Sequence, residues 1–224
     1  HPITEEEQSE YIQLFRASVP IRLPSQNPYL MLSRYVGRNS SSCLLMAHYA
    51  EILLSDMPDN LAVNAFAMKS RLTAGKRKEA ASLARNIIDM LSGSVEINYV
   101  FKAMLDDAVR TLSDDEIQEI LLDCLFSLDI TGPSAQMYFI TAVLNEALGE
   151  HQKARAQMTC CCRQLPDNMI VLRQLINWYE AAGLKKELAD ILSAYVQISG
   201  SSDVLLWRTL VRLYYQTGQK EQMK

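Results

Sequence analysis

No run of about 18 uninterrupted apolar residues occurs in this 224-residue chain, so the sequence offers no membrane-spanning helix. Cysteine is scarce and odd in number: five residues, at 43, 124, 160, 161 and 162. That count does not read as a disulfide framework and favours a reducing compartment. A cytoplasmic location is the expectation, with a periplasmic or secretion-associated one as the alternative. Positive charge is also in short supply. The 22 Lys and Arg residues are outnumbered by 26 Asp and Glu, giving a net charge of −4 and a pI near 5.5. A chain of that sign lacks the cationic face that displaces counterions from nucleic acid, so none is expected as a partner. The vocabulary of catalysis is missing too. There is no glycine-rich phosphate loop, no G-x-S-x-G, no zinc spacing and no Ca²⁺ loop, so the expectation is a non-catalytic protein without cofactor or metal.

The N-terminal "HPITEEEQSEY" lacks the basic and apolar regions of a signal peptide. The final "GQKEQMK" stops inside what reads as the start of another helix, so a segment of a longer protein is expected. What the chain does have is apolar content: 49%, enough for a continuous core and too much for intrinsic disorder.

It also has a period. Residues 57–75, "MPDNLAVNAFAMKSRLTAG", and 165–183, "LPDNMIVLRQLINWYEAAG", share one frame: an apolar residue, Pro-Asp-Asn, about four helical turns, then glycine. Pro58 to Gly75 and Pro166 to Gly183 are each 17 residues apart, and the two frames lie 108 apart, three times 36. Gly75, Gly149, Gly183 and Gly218 each follow one helical run and precede another. Glycine suits such places because a left-handed residue at a helix C-terminus costs it little. Near residue 112 the punctuation changes: "VRTLSDDEIQEILL" substitutes Ser113 and Glu116 at capping-box spacing. Asp59, Asn60, Asp167 and Asn168 are candidate N-caps, and Pro58 and Pro166 discourage continuation of the preceding helix.

On these residues the chain resembles the tetratricopeptide repeat, a helix–turn–helix of about 34 residues. The fullest unit is 135–168, with Tyr138 and Ala142 on its first helix, Gly149 at the turn, Ala154 on the second helix and Pro166 at the exit. Gly75 with Ala80, Gly183, and Gly218 mark three further units. Three positions depart from the pattern: Asn64 takes a large apolar place, and Leu188 and Met223 stand where a packing alanine is usual. The resemblance implies an all-α fold, a right-handed α-α superhelix of about five to six helix pairs. The expected organisation is an N-terminal helix over 1–25, an irregular repeat over 26–58, repeats over 59–93, 133–168 and 169–202, a divergent pair over 94–132 and a partial repeat over 203–224, all as one continuous solenoid. A generic helical solenoid outside the family is the competing reading.

Two clusters invite chemistry. "CCC" at 160–162 places successive thiols about 100° apart around a helix, so they cannot converge on one tetrahedral metal; Cys161 falls where the repeat packs a small residue. The acidic stretches "TEEEQSE" and "SDDEIQE" lie at helix starts, where carboxylates complement the dipole. Of the histidines at 1, 48 and 151, none has a histidine one turn away, so no ligand role is expected.

The resemblance further implies a groove lined by the first helices of each pair, which takes a peptide or helix of a partner protein. Arg173 and Asn177 are four apart, Arg208 and Arg212 repeat that spacing, and Tyr215 lies nearby. Together they predict a net-basic patch for a carboxylate or an acidic peptide. In the chaperone-binding branch of the family, basic and amide residues hold a peptide's terminal carboxylate. Arg173 and Asn177 match two such places, whereas Phe139, Val143, Ala65 and Lys69 depart from the rest. Phe139, Val143, Ala65 and Phe66 would line an apolar stretch of the same groove, or pack between repeats. The competing reading makes the arginines solubilising residues that pair with Glu180. Exposed repeat ends suggest a dimer. The alternative functional reading is a sensor or regulatory solenoid within a multidomain protein, such as a transcriptional regulator or a secretion or assembly factor.

Overall fold

A computed structural model describes residues 50–94, 96–132, 134–200 and 204–219. All regular structure among them is α-helical. A helical stretch over 50–56 is followed by α1 (Leu61–Thr73), α2 (Arg77–Ser92), α3 (Tyr99–Thr111), α4 (Asp114–Thr131), α5 (Ala135–Ala147), α6 (His151–Gln164), α7 (Met169–Ala181), α8 (Lys185–Ser199) and α9 (Val204–Thr217). The helix expected over 1–25 and most of the irregular repeat over 26–58 lie outside the described residues. The chain divides into two compact units, His1–Ile120 and Leu121–Lys224, with α4 crossing the division.

In the first unit α1 packs on α2, α2 on α3, and α1 also reaches α3. Its core is built from Phe66 and Met68 of α1, Ile87 and Ile88 of α2, and Met104 and Leu105 of α3, all nearly inaccessible to solvent. Each such side chain contributes about 1.5–3 kcal/mol by leaving water. Ala80, Ala84 and Ala108 are fully buried at the helix contacts. Side chains this small let neighbouring backbones approach closely. Two ion pairs link helices two apart in the order: Lys69 of α1 to Asp107 of α3 at 2.7 Å, and Arg85 of α2 to Glu119 of α4. Arg71 joins Glu51 at 2.6 Å and Glu79 at 3.0 Å, tying the 50–56 helix to α2.

In the second unit the helices from α5 onward pack in sequence: α6 on α5, α7 on α6, α8 on α7 and α9 on α8. Phe139, Ile140 and Leu144 of α5, Met158 and Cys161 of α6, Leu172 and Leu175 of α7, and Leu188 and Leu192 of α8 are all buried and form the core. Ala142 and Ala154 are fully buried at the most extensive of these contacts. Leu188 is also fully buried, with Ala189 beside it, so the small residue of this pair stands one position later.

The joints explain the recurring sequence frame. At Gly75 (φ +73°), Gly149 (φ +76°) and Gly183 (φ +72°) the glycine N–H donates to the carbonyl three residues back, and the next residue's N–H to the carbonyl five back of itself. Lys76 thus bonds Arg71, Glu150 bonds Asn145, and Leu184 bonds Tyr179, each at 2.9–3.0 Å. Gln219, after Gly218, repeats the longer bond to Tyr214. These bonds satisfy carbonyls that a helix end leaves open. The proline turns are equally alike: Asn60 N–H donates to Met57 O and Asn168 N–H to Leu165 O, both at 3.1 Å. Of the four cap candidates, the asparagines cap. Asn60 Oδ1 accepts from Val63 N–H at 3.1 Å, and Asn168 Oδ1 from Ile170 and Val171 N–H at 3.0 and 3.2 Å.

The α3–α4 joint uses the other device. Glu116 Oε2 accepts from Ser113 N–H at 2.8 Å and from Ser113 Oγ at 2.9 Å. The Ser113 backbone N–H, seconded by its hydroxyl, holds the Glu116 carboxyl below the usual carboxylate range, against a small opposing effect of burial.

Candidate protein-docking surface

The second unit carries the residues singled out for binding. On α7 the core takes Val171, Leu172, Leu175 and Tyr179, which leaves Arg173 and Asn177 on the opposite, exposed side. On α9 it takes Leu206, Leu210, Leu213 and Tyr214, leaving Arg208, Arg212 and Tyr215 exposed. The 69% exposure of Tyr215 is the highest among the large apolar and aromatic side chains of the described residues.

One contact joins the exposed faces of the two helices. The Arg212 guanidinium donates to Glu180 Oε1, joining α9 to α7. Arg212 therefore makes the pairing with Glu180 that the competing reading of the arginines anticipated. The bond also sets a register. Arg212 lies 32 residues beyond Glu180, three fewer than the 35 separating Arg173 from Arg208. With three arginines to one glutamate, the exposed face keeps a positive balance.

Supporting contacts hold α7 from its other side. Tyr179 lies against α6, its hydroxyl 3.4 Å from Thr159 Oγ1 and its ring beneath the Arg155 guanidinium at 5.8 Å. That placement stacks a cation on an aromatic face and orients the helix segment that carries Glu180.

The apolar stretch expected upstream is not part of an open groove. Phe139, Val143, Ala65 and Phe66 are all buried, so they pack as core between helices. Lys69, in phase with Asn177, is half-buried and held by Asp107. The apolar component of the exposed face lies instead on α9, at Val204, Trp207 and Val211. Trp207 is 44% exposed. The missed signal was the spacing of Leu206, Leu210 and Leu213, which consumes one side of α9 and turns 204, 207 and 211 outward.

The other clusters resolve as structure. Cys161 and Cys162 are buried and Cys160 is half-buried. The Cys161 thiol donates to Ala135 O at 3.2 Å, linking α6 to α5. Burial pushes the Cys162 thiol up to about 11 and raises Cys161 further still. Neither is poised as a nucleophile at neutral pH. His151 Nδ1 lies 3.0 Å from a Glu146 carboxylate oxygen across the α5–α6 turn, and His48 lies outside the described residues. Among the described residues no group of three or more His, Cys, Asp or Glu side chains is placed to hold a metal ion. None of the described helices is long and apolar enough to cross a membrane.

No protein-family model matches the chain, and no curated protein matches it.

Proposed function

We propose that this protein works by non-covalent recognition, with α7 and α9 presenting a docking surface for an acidic amphipathic helix of a partner protein. The observation that carries the reading is the Arg212–Glu180 bond, which sets a row of exposed cations beside exposed apolar side chains. Arg173, Asn177 and Arg208 supply donors for carboxylates, and Val204, Val211 and Tyr215 supply area for apolar residues one or two turns apart. The joints repeated at Gly75, Gly149 and Gly183 support the wider reading that the helix pairs form a right-handed superhelix like that of tetratricopeptide repeats, with this surface on its inner side.

The test is binding of a synthetic amphipathic helix of leucine and glutamate, compared with its leucine–lysine counterpart, by fluorescence anisotropy. The acidic peptide should bind, the basic one should not, and Arg173→Glu with Arg208→Glu should weaken binding by about tenfold or more at low salt. Circular dichroism should show unchanged helicity. Equal affinity in wild type and double variant would end the proposal.

A further inference from the structure

A second exposed stripe lies on α4, on a part of the chain with no place in the reading above. Leu122, Phe126 and Ile130 are 59%, 66% and 66% exposed and recur every four residues, so they form one band along α4. At about 100° per residue, Asp123 and Asp129 lie roughly 60° to either side of Phe126, one along each margin of the band. Both aspartates are exposed. Helix α4 carries six acidic residues, Asp114, Asp115, Glu116, Glu119, Asp123 and Asp129, and no Lys or Arg. Its outer half is therefore an acidic amphipathic helix already displayed on the surface.

The matching face is on α9. Val204, Trp207, Val211 and Tyr215 fall within about 40° of one line, and Arg208 and Arg212 run along one margin. The α4 band is about 12 Å long and the α9 band about 16 Å, at 1.5 Å per residue. Both faces belong to the second unit; α8 packs on α9, and Glu180 of α7 pairs with Arg212. We infer that the occupant of the α9 face is α4 of a second copy of this chain, with its apolar band on Val204, Val211 and Tyr215 and its aspartates facing Arg208 and Arg212. This inference rests on the docking surface proposed above and names its partner.

The two patches differ, so the contact is heterologous: each copy offers α4 to one neighbour and α9 to another. Two helix faces bury little area beside a standard interface of about 1,600 Å², which places the association in the weak, micromolar class. Opposed exposed charges make it salt-sensitive, since screening at 1 M salt confines them to about 3 Å.

Sedimentation velocity of the full chain over a concentration series tests this. Wild type should associate in the micromolar range at low salt and dissociate at 1 M salt. Asp123→Arg with Asp129→Arg should weaken self-association at least tenfold, and so should Arg208→Glu with Arg212→Glu. Mixing the two variants should restore it, because each altered face then meets an altered complement. A wild type that stays monomeric to about 100 µM, or association insensitive to both charge changes, overturns the inference; so does a mixture that stays dissociated. The leucine–glutamate peptide separates this result from the broader reading. If that peptide binds the α9 face while the chain stays monomeric, the docking surface stands and α4 is not its occupant. If the chain associates through α4 and α9, the peptide should compete.

Discussion

Hairpins α1–α2 and α7–α8 share the same frame of proline turn, asparagine cap and left-handed glycine, yet they fill it differently. At the fourth residue of the helix, counting from the cap, one has Asn64 and the other Leu172, and both are about 99% buried. Leu172 is core. Asn64 turns back on its own joint, its Nδ2 donating to Pro58 O at 2.6 Å and to Asn60 O at 3.0 Å, while its Oδ1 is buried without a partner. The backbone geometry is therefore set by the joint, and the interior position tolerates a polar residue only because the joint supplies acceptors within reach. An amide that found none there would cost roughly 1–3 kcal/mol.

The largest effect that bears on this comparison is at Leu172. Replacing it by alanine should destabilise the protein by about 2–5 kcal/mol in urea unfolding, through lost burial and a cavity. Leu172→Asn should cost no more than that, because the new amide can reach the carbonyls of Pro166 and Asn168. A clearly larger loss would show that the two joints differ in a way their hydrogen bonds conceal. Next come the glycines. Gly75→Ala and Gly183→Ala should each cost about 1–2 kcal/mol from the left-handed backbone alone, because a Cβ at either position meets nothing within 4 Å. Their melting temperatures should fall in step, and unequal shifts would break the equivalence.

Smaller again is the joint that abandoned glycine. Ser113→Ala should cost about 1 kcal/mol. Glu116 adds a pH signature. Its folded-state carboxyl lies below the ordinary value of 4.5, so its contribution is complete above that value and is lost as pH falls through the folded value. Glu116→Gln should therefore reduce stability at pH 7 and flatten the acid limb of the stability curve below about pH 4.5. The smallest effect concerns Lys69→Met, which removes the bond to Asp107 between α1 and α3 and should change stability by about 1 kcal/mol or less.

The all-helical class and the joints were legible because punctuation is local. Proline, asparagine and glycine act on their own turn, and Ser113 with Glu116 on theirs. The choice of asparagine over aspartate at the caps was not legible, since Asp59 and Asn60 are both competent and only the turn geometry selects between them. Nor was the choice of which faces stay exposed. Helical phase tells which residues share a side, but not whether a neighbouring helix covers it. Phe139 and Val143 share the phase of Arg173 and Asn177, yet they are buried and those two are exposed. The pairing of Arg212 with Glu180 joins positions 32 apart, a register that depends on how α9 leans on α7 and that no repeat length states.

Three hinges of nearly the same stereochemistry, at residues 75, 149 and 183, have an evolutionary corollary. A stretch beginning at one asparagine cap and closing before the next carries its own start and stop signals, so copying or excising it rejoins like ends. Chains of this kind can change length by whole cassettes while each seam stays chemically familiar.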